Sequence, residues 1–188
     1  MDTGVSDDTI IRRFTADEAI RMVERGIVAA DERLELLDGV LVEMSPQGPR
    51  HAGLATVLAE RLRLAYAERG HVREEKPLAA GPYDLPEPDV TVVRDRSDAF
   101  LDRHPEGHDV LLVAEISSSS QRIDRRKAAI YARAGVQAYW LVDVPARRLE
   151  VRSLPREGSY ADVRILSEDD EVSLPESNKR WLVRSLFP

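Results

Sequence analysis

The sequence predicts an α/β domain with a mixed β-sheet flanked by helices. Three observations lead there. Stretches with helical periodicity alternate with strand-like runs along the chain. The run Val110 to Ser117 is almost continuously apolar, as in a strand covered on both faces. Asp38-Gly39 joins two short strand-like runs, a pair that favours a tight type I′ hairpin, so the sheet is not wholly parallel.

Residues 1–14 are polar and are expected to be disordered, leaving a single domain over 15–188. Thr15 followed by Glu18 reads as a capping box opening a short helix that ends near Gly26. Next comes the hairpin, RLELLDGVLVEM, which with the first helix forms an N-terminal extension. A helix over Arg50 to Arg69 carries Leu54, Leu58, Leu62 and Ala65 on one face, with Gly70 as its expected stop. Strands are expected over His71 to Ala79 and Asp89 to Val93, then Val110 to Ser117. A helix follows over Arg122 to Ala134, closed by Gly135, and then strands at Tyr139 to Val142, Leu149 to Leu154 and Val163 to Leu166. The adjacent aromatics Tyr139 and Trp140 suit a sheet core or, alternatively, an interface.

Composition narrows the chemistry. With no cysteine among 188 residues, disulfides, thiolate zinc sites and cysteine nucleophiles are excluded. A metal would be held by carboxylates, carbonyls or histidine, a donor set that suits Mg²⁺ or Mn²⁺. No apolar run is long enough to span a membrane, and the first residues lack a secretory layout, so a cytoplasmic protein is expected. A formal charge of −7 argues against a large basic nucleic-acid footprint, although local patches matter more than the total.

The informative residues are polar ones where the pattern reserves an apolar place. In a two-residue hairpin Glu35 lies opposite Val42 and shares a face with Leu37, Val40 and Met44. It is either an edge glutamate reaching solvent or a buried carboxylate that needs a partner. Asp89 stands at the mouth of a strand directly after Pro88, where a turn role is the plainer alternative. Glu115 interrupts the apolar run between Ala114 and Ile116, which favours a paired, functional carboxylate. Lys127 falls inside the stripe Ile123, Ile130, Tyr131 and Ala134 on its helix. The chain has only three lysines, Lys76, Lys127 and Lys179, against 24 arginines. A lysine in an apolar stripe of such a chain suggests a need for a compact point charge; snorkelling past the rim is the alternative. Carboxylates on adjacent strand ends could hold Mg²⁺ or Mn²⁺, and a nearby ammonium could stabilise the extra charge of a phosphoryl transition state.

Pro88-Asp89 with Glu115 on the next buried strand resembles the PD-(D/E)xK signature of restriction-endonuclease-like nucleases. More narrowly, LELLDGVLVEMSPQGPRH, PEPDVTVV, VAEISSSS and KAAIYARAGVQAYWLVD, in this order, are similar to the Uma-two family of bacterial proteins classed as restriction endonucleases. The similarity runs from about Thr15 to Asp143. It implies the restriction-endonuclease-like core, metal binding by Asp89 and Glu115, and Glu35 as a further acidic metal ligand. The lysine usual two places after the glutamate is replaced by Ser117, and the family's displaced lysine corresponds to Lys127. His51 matches a family histidine, which either contacts phosphate or orients water, or is structural.

The function expected is metal-dependent phosphodiester hydrolysis, with DNA as substrate and with RNA and small phosphodiesters as further candidates. A catalytically inactive binding module on the same fold is the alternative. Cutting a duplex requires two sites, which a homodimer would supply.

Overall fold

The computed structural model describes residues 11–29, 31–95, 98–117 and 121–187. Most of the expected disordered segment, residues 1–10, and the serine run at 118–120 lie outside them. From Ile11 onward the chain is tied to the body of the protein: the Phe14 amide donates to the Gly39 carbonyl at 2.9 Å. Helix α1, Ala16–Glu24, opens on the expected capping box, with reciprocal bonds between Thr15 and Glu18.

Strands β1 (Leu34–Leu37) and β2 (Val40–Glu43) form the expected hairpin, with Leu37 opposite Val40 and Glu35 opposite Val42. Asp38 and Gly39 take φ of 51° and 78°, the left-handed pair a type I′ turn requires. The hairpin is not an edge feature, because both faces of β1 are covered: Leu36 and Leu37 are each almost fully buried.

Helix α2, Pro49–Tyr66, starts with proline in its first turn and buries Leu54, Leu58, Leu62 and Tyr66. Gly70 is not its stop. The helix ends at Ala67, and Gly70 is the first residue of strand β3, Gly70–Glu74, where a side chain would strike the Val93 carbonyl. Glycine is required there for close backbone approach. β3 ends well short of the expected Ala79 because Glu75 enters the left-handed region at φ 46°.

The main sheet has six strands in the order β3-β4-β5-β6-β7-β8. They are β3, β4 (Val90–Arg94), β5 (Val110–Ser117), β6 (Ala138–Asp143), β7 (Arg148–Arg156) and β8 (Ser159–Leu166). Only β5 and β6 run parallel, joined by helix α3, Gln121–Arg133, which ends at Gly135 with φ 79°. Every β5 side chain is buried, as its apolar run predicted.

Alternation along β5 and β6 sorts two cores. Leu112, Ala114, Trp140 and Val142 pack toward α2 and the C-terminal segment, whereas Val113 and Tyr139 pack toward Ala128, Tyr131 and Ala132 of α3. Tyr139 and Trp140 have no solvent exposure, which removes them as interface candidates. Two further short strands, β9 (Glu171–Ser173) and β10 (Arg180–Leu182), pair with each other, and Trp181 packs edge-on to Trp140. Among the described residues no helix is long and apolar enough to cross a membrane.

Candidate active site

The antiparallel register of β4 and β5 pairs Val90 with Ala114. One step outward, Asp89 and Glu115 therefore face each other, and the Asp89 amide lies 3.4 Å from Glu115 Oε2. Asp89 Oδ2 accepts from the Ile116 amide at 2.7 Å. The two strand ends thus hold the carboxylates through each other's backbone amides, leaving little rotamer freedom.

Glu115 points to the α3 face of the sheet. There its Oε1 lies 3.0 Å from Lys127 Nζ and accepts from the Tyr131 hydroxyl at 2.5 Å. Lys127 and Tyr131 are four residues apart, one above the other on α3, so one helix face delivers both donors. Lys127 Nζ also lies 2.8 Å from Glu35 Oε1, which accepts from the Glu87 amide at 2.6 Å. Lys127 therefore stands between a carboxylate of the hairpin and a carboxylate of the sheet. Glu35, Asp89, Glu115 and Lys127 are all less than 8% exposed.

Glu35 reaches the lysine because the hairpin tip is clamped to α3. The Asp38 carboxylate accepts from Arg126 at 2.9 Å and Arg133 at 2.5 Å, and its amide donates to Asp84 Oδ1 at 2.6 Å. Leu37 packs with Ile130 of α3 and Ala80 beneath the same clamp. The solvent-reaching alternative for Glu35 is thereby excluded. Ile123, expected to extend the buried stripe, is instead 39% exposed, so the stripe begins at Lys127 itself.

On the open side, His51 in the first turn of α2 places Nε2 3.0 Å from Asp89 Oδ1. Three neighbours here had not stood out in the sequence as site residues. Tyr131 read only as a member of an apolar stripe, although a hydroxyl in a fully buried stripe needs a partner. Gln47 donates to both Glu75 and Asp89, the latter at 3.4 Å. Glu75, held also by Arg33 at 2.8 Å, follows from the left-handed turn after β3, which no local residue pattern marks.

The electrostatics follow from burial and pairing. Burial, the largest influence, pushes the Glu115 carboxyl above the ordinary range; Lys127 opposes this, and Asp89 and Glu35 reinforce it. Burial would discharge Lys127, but Glu115 and Glu35 together outweigh it and raise its affinity for the proton. The ammonium therefore stays charged. Burial, then Glu115, keeps Tyr131 protonated as a donor. The hydrogen bond to Asp89 raises the His51 pKa against an opposing effect of burial.

Among the described residues no three of His, Asp and Glu are gathered at metal-ligand spacing. The donor chemistry nevertheless fits a hard divalent cation. Asp89 and Glu115 stand on adjacent strand ends, with Glu115 Oε2 3.4 Å from the Asp89 amide, and Mg²⁺ commonly takes only one or two carboxylates while keeping water and substrate oxygens as its other ligands. Glu35 differs from them in position, because it is joined to Glu115 through the Lys127 ammonium. Ser117, in place of the usual motif lysine, is buried on β5, and the ammonium comes from α3 instead.

The fold is similar to a crystal structure titled as "a putative nuclease belonging to DUF820" from Anabaena variabilis, with TM-score 0.76 and 17% identity. The match covers 93% of this chain and 97% of that one. A search of curated proteins finds no match. The model of the Uma2 family, described as "Putative restriction endonuclease", matches residues 17–184, and the chain belongs to that family.

Proposed function

We propose that the protein is a divalent-metal-dependent phosphodiesterase acting as a DNA endonuclease, with the activity in one domain over residues 15–188. Membership of the family and the nuclease-like fold support a nuclease. The observation that carries the finer reading is the buried Lys127 ammonium beside Glu115, whose carboxylate faces Asp89.

Asp89 and Glu115 would hold Mg²⁺ or Mn²⁺, which supplies Lewis acidity and neutralises charge on the phosphodiester. Lys127, fixed by Glu35 and Glu115, holds a positive charge where the phosphoryl group gains negative charge, in a site shielded from bulk water. Tyr131 fixes the Glu115 carboxylate from the other side. His51 is placed at the accessible edge to orient a water or a phosphate oxygen through the nitrogen that now contacts Asp89. Glu35 acts as the further acidic member by keeping Lys127 charged and in place.

The test is cleavage of plasmid and branched DNA with Mg²⁺ or Mn²⁺. Asp89→Ala is expected to abolish cutting; activity that survives this substitution, or persists in EDTA, overturns the mechanism. A panel of DNA, RNA and small diesters at matched salt identifies the substrate, because affinity for nucleic acids depends steeply on salt. Cutting both strands of a duplex calls for two sites, which a homodimer would bring, and sedimentation measures that state.

A second reading, a binding module without turnover, draws on Lys127 already bridging Glu35 and Glu115. Calorimetry separates the two: the enzyme binds Mn²⁺ in a saturable way, and the inactive module does not.

A further inference from the structure

The six-stranded sheet ends on one side at β8, and among the described residues no strand pairs with the outer edge of β8. An open edge offers unpaired backbone N–H and C=O groups to another chain, and proteins commonly blunt it with proline, lysine or a short strand. β8 has none of these. It runs for eight residues, SYADVRIL, and from Asp162 to Leu166 its pairing with β7 is unbroken. The opposite edge, β3, is five residues long and carries His71, Arg73 and Glu74. Register sorts the β8 side chains between the two faces. Val163 and Ile165 stand opposite Arg152 and Glu150, in the rows of Tyr139 and Leu141, and therefore on the α3 face. They are left open there: Val163 is 48% and Ile165 61% exposed. Asp162 and Arg164 stand on the other face, opposite Ser153 and Val151. The Asp162 carboxylate accepts from the Ser153 hydroxyl at 2.8 Å and lies 3.6 Å from Arg164, and both charged side chains are partly exposed. One exposed aliphatic residue is ordinary, but here two share a face of an open and unblunted edge.

We propose that the outer edge of β8 docks a second copy of this chain, by antiparallel pairing of β8 with β8 about a two-fold axis at Val163. A two-fold pairing is self-complementary, so the residue at its centre fixes every other pair. Centred on Val163, it sets valine against valine, Ile165 against Ala161, and Asp162 of each copy against Arg164 of the other. Both charges then meet their complements, and the aliphatic side chains cover one another on the α3 face. A centre one residue earlier or later sets Asp162 against Asp162, or Arg164 against Arg164, and like charges directly opposite destabilise a pair. A centre two residues away leaves neither charge opposite its complement. Charge complementarity therefore selects both the occupant and the register. The two six-stranded sheets become one continuous sheet. This gives a surface to the homodimer that cutting a duplex calls for, and it rests on the nuclease reading for that purpose alone.

The test is sedimentation over a concentration series in EDTA without nucleic acid, so neither metal nor turnover enters it. The unaltered protein is expected to dimerise. Asp162→Arg and Arg164→Asp each set like charges across the axis, and each is expected to weaken self-association at least about tenfold. Mixed together, the two variants bring opposite charges into both pairs and are expected to form a one-to-one dimer with the affinity of the unaltered protein. The chain has no cysteine, so Val163→Cys places a single thiol at the axis, where directly opposite residues of an antiparallel pair lie within disulfide reach. On oxidation it is expected to form a covalent dimer faster than Val40→Cys, a similarly exposed position on the hairpin. A monomer at every concentration, a dimer that Asp162→Arg leaves intact, or folded variants that stay apart when mixed overturns the proposal. Circular dichroism checks the folding; where a charge variant does not fold, cross-linking of Val163→Cys no faster than that of Val40→Cys overturns it instead. Plasmid cleavage by the unaltered protein with Mn²⁺ is measured in parallel. Cleavage without a dimer refutes the interface and leaves the nuclease reading standing. A register-dependent dimer without cleavage does the reverse.

Discussion

Lys127 is where the residue-scale physics is most concentrated. A buried ammonium is tolerable only because Glu35 and Glu115 both contact it, and each carboxylate in turn is tolerable because of the lysine. Removing the cation therefore leaves two like charges facing one another away from water. Lys127→Met is expected to lower stability by about 3–5 kcal/mol in EDTA, and Lys127→Met/Glu115→Gln is expected to recover part of that loss. Urea unfolding measures both, and a loss below about 1 kcal/mol for the single variant contradicts the geometry. This lysine was legible in the sequence because it broke an apolar stripe in a chain that otherwise prefers arginine. Glu115 was legible for a related reason, as a charge inside a strand covered on both faces. Tyr131 was hidden because its ring suits the stripe as well as its hydroxyl suits Glu115. Glu75 and Gln47 were hidden more completely, since contacts made across the fold bring them to Asp89 and no local pattern records them.

At the scale of elements, the site depends on the hairpin being held against α3. Burial alone would raise the Asp38 pKa, but Arg126 and Arg133 prevail and hold it below the usual carboxylate value. Its folded-state pKa is depressed, so its stabilising effect is fully present above about pH 4, the ordinary aspartate value. That effect is lost as the pH falls further, through the folded-state value. Asp38→Asn keeps a residue suited to the left-handed turn while removing the charge. Because the pair is partly exposed and screened, the expected cost at neutral pH is about 1 kcal/mol. The difference between the two proteins should shrink below pH 4 in a series of urea titrations; a difference constant over that range contradicts the clamp. The hairpin itself was legible from Asp38-Gly39, and its register followed from the turn. The boundary between α2 and β3 was not. A glycine after a helical run reads as a stop, whereas Gly70 is needed because the Val93 carbonyl lies where a side chain would be.

Across the whole molecule, one topological choice assembles the site. β4 and β5 run antiparallel and bring Asp89 opposite Glu115, and the crossover from β5 to the parallel β6 is α3, which carries Lys127 back over the same strand end. The hairpin adds Glu35 from outside the six-stranded sheet, and α2 adds His51 from the opposite layer. The alternation of helices and strands made this mixed architecture legible. The C-terminal strands were not, since β9 and β10 have three residues each and pair only with one another, too short for a period to register. The convergence of five residues from separate elements was available in the sequence only through the family pattern, because spacing along a chain does not specify a distance in space. The most direct test is a crystal structure grown with Mn²⁺, with anomalous scattering recorded at the manganese edge. The expected result is a peak within bonding distance of the Asp89 and Glu115 carboxylates, with Lys127 beside it. A map with no peak there, with manganese bound elsewhere and Lys127 still bridging Glu35 and Glu115, contradicts a metal-dependent site.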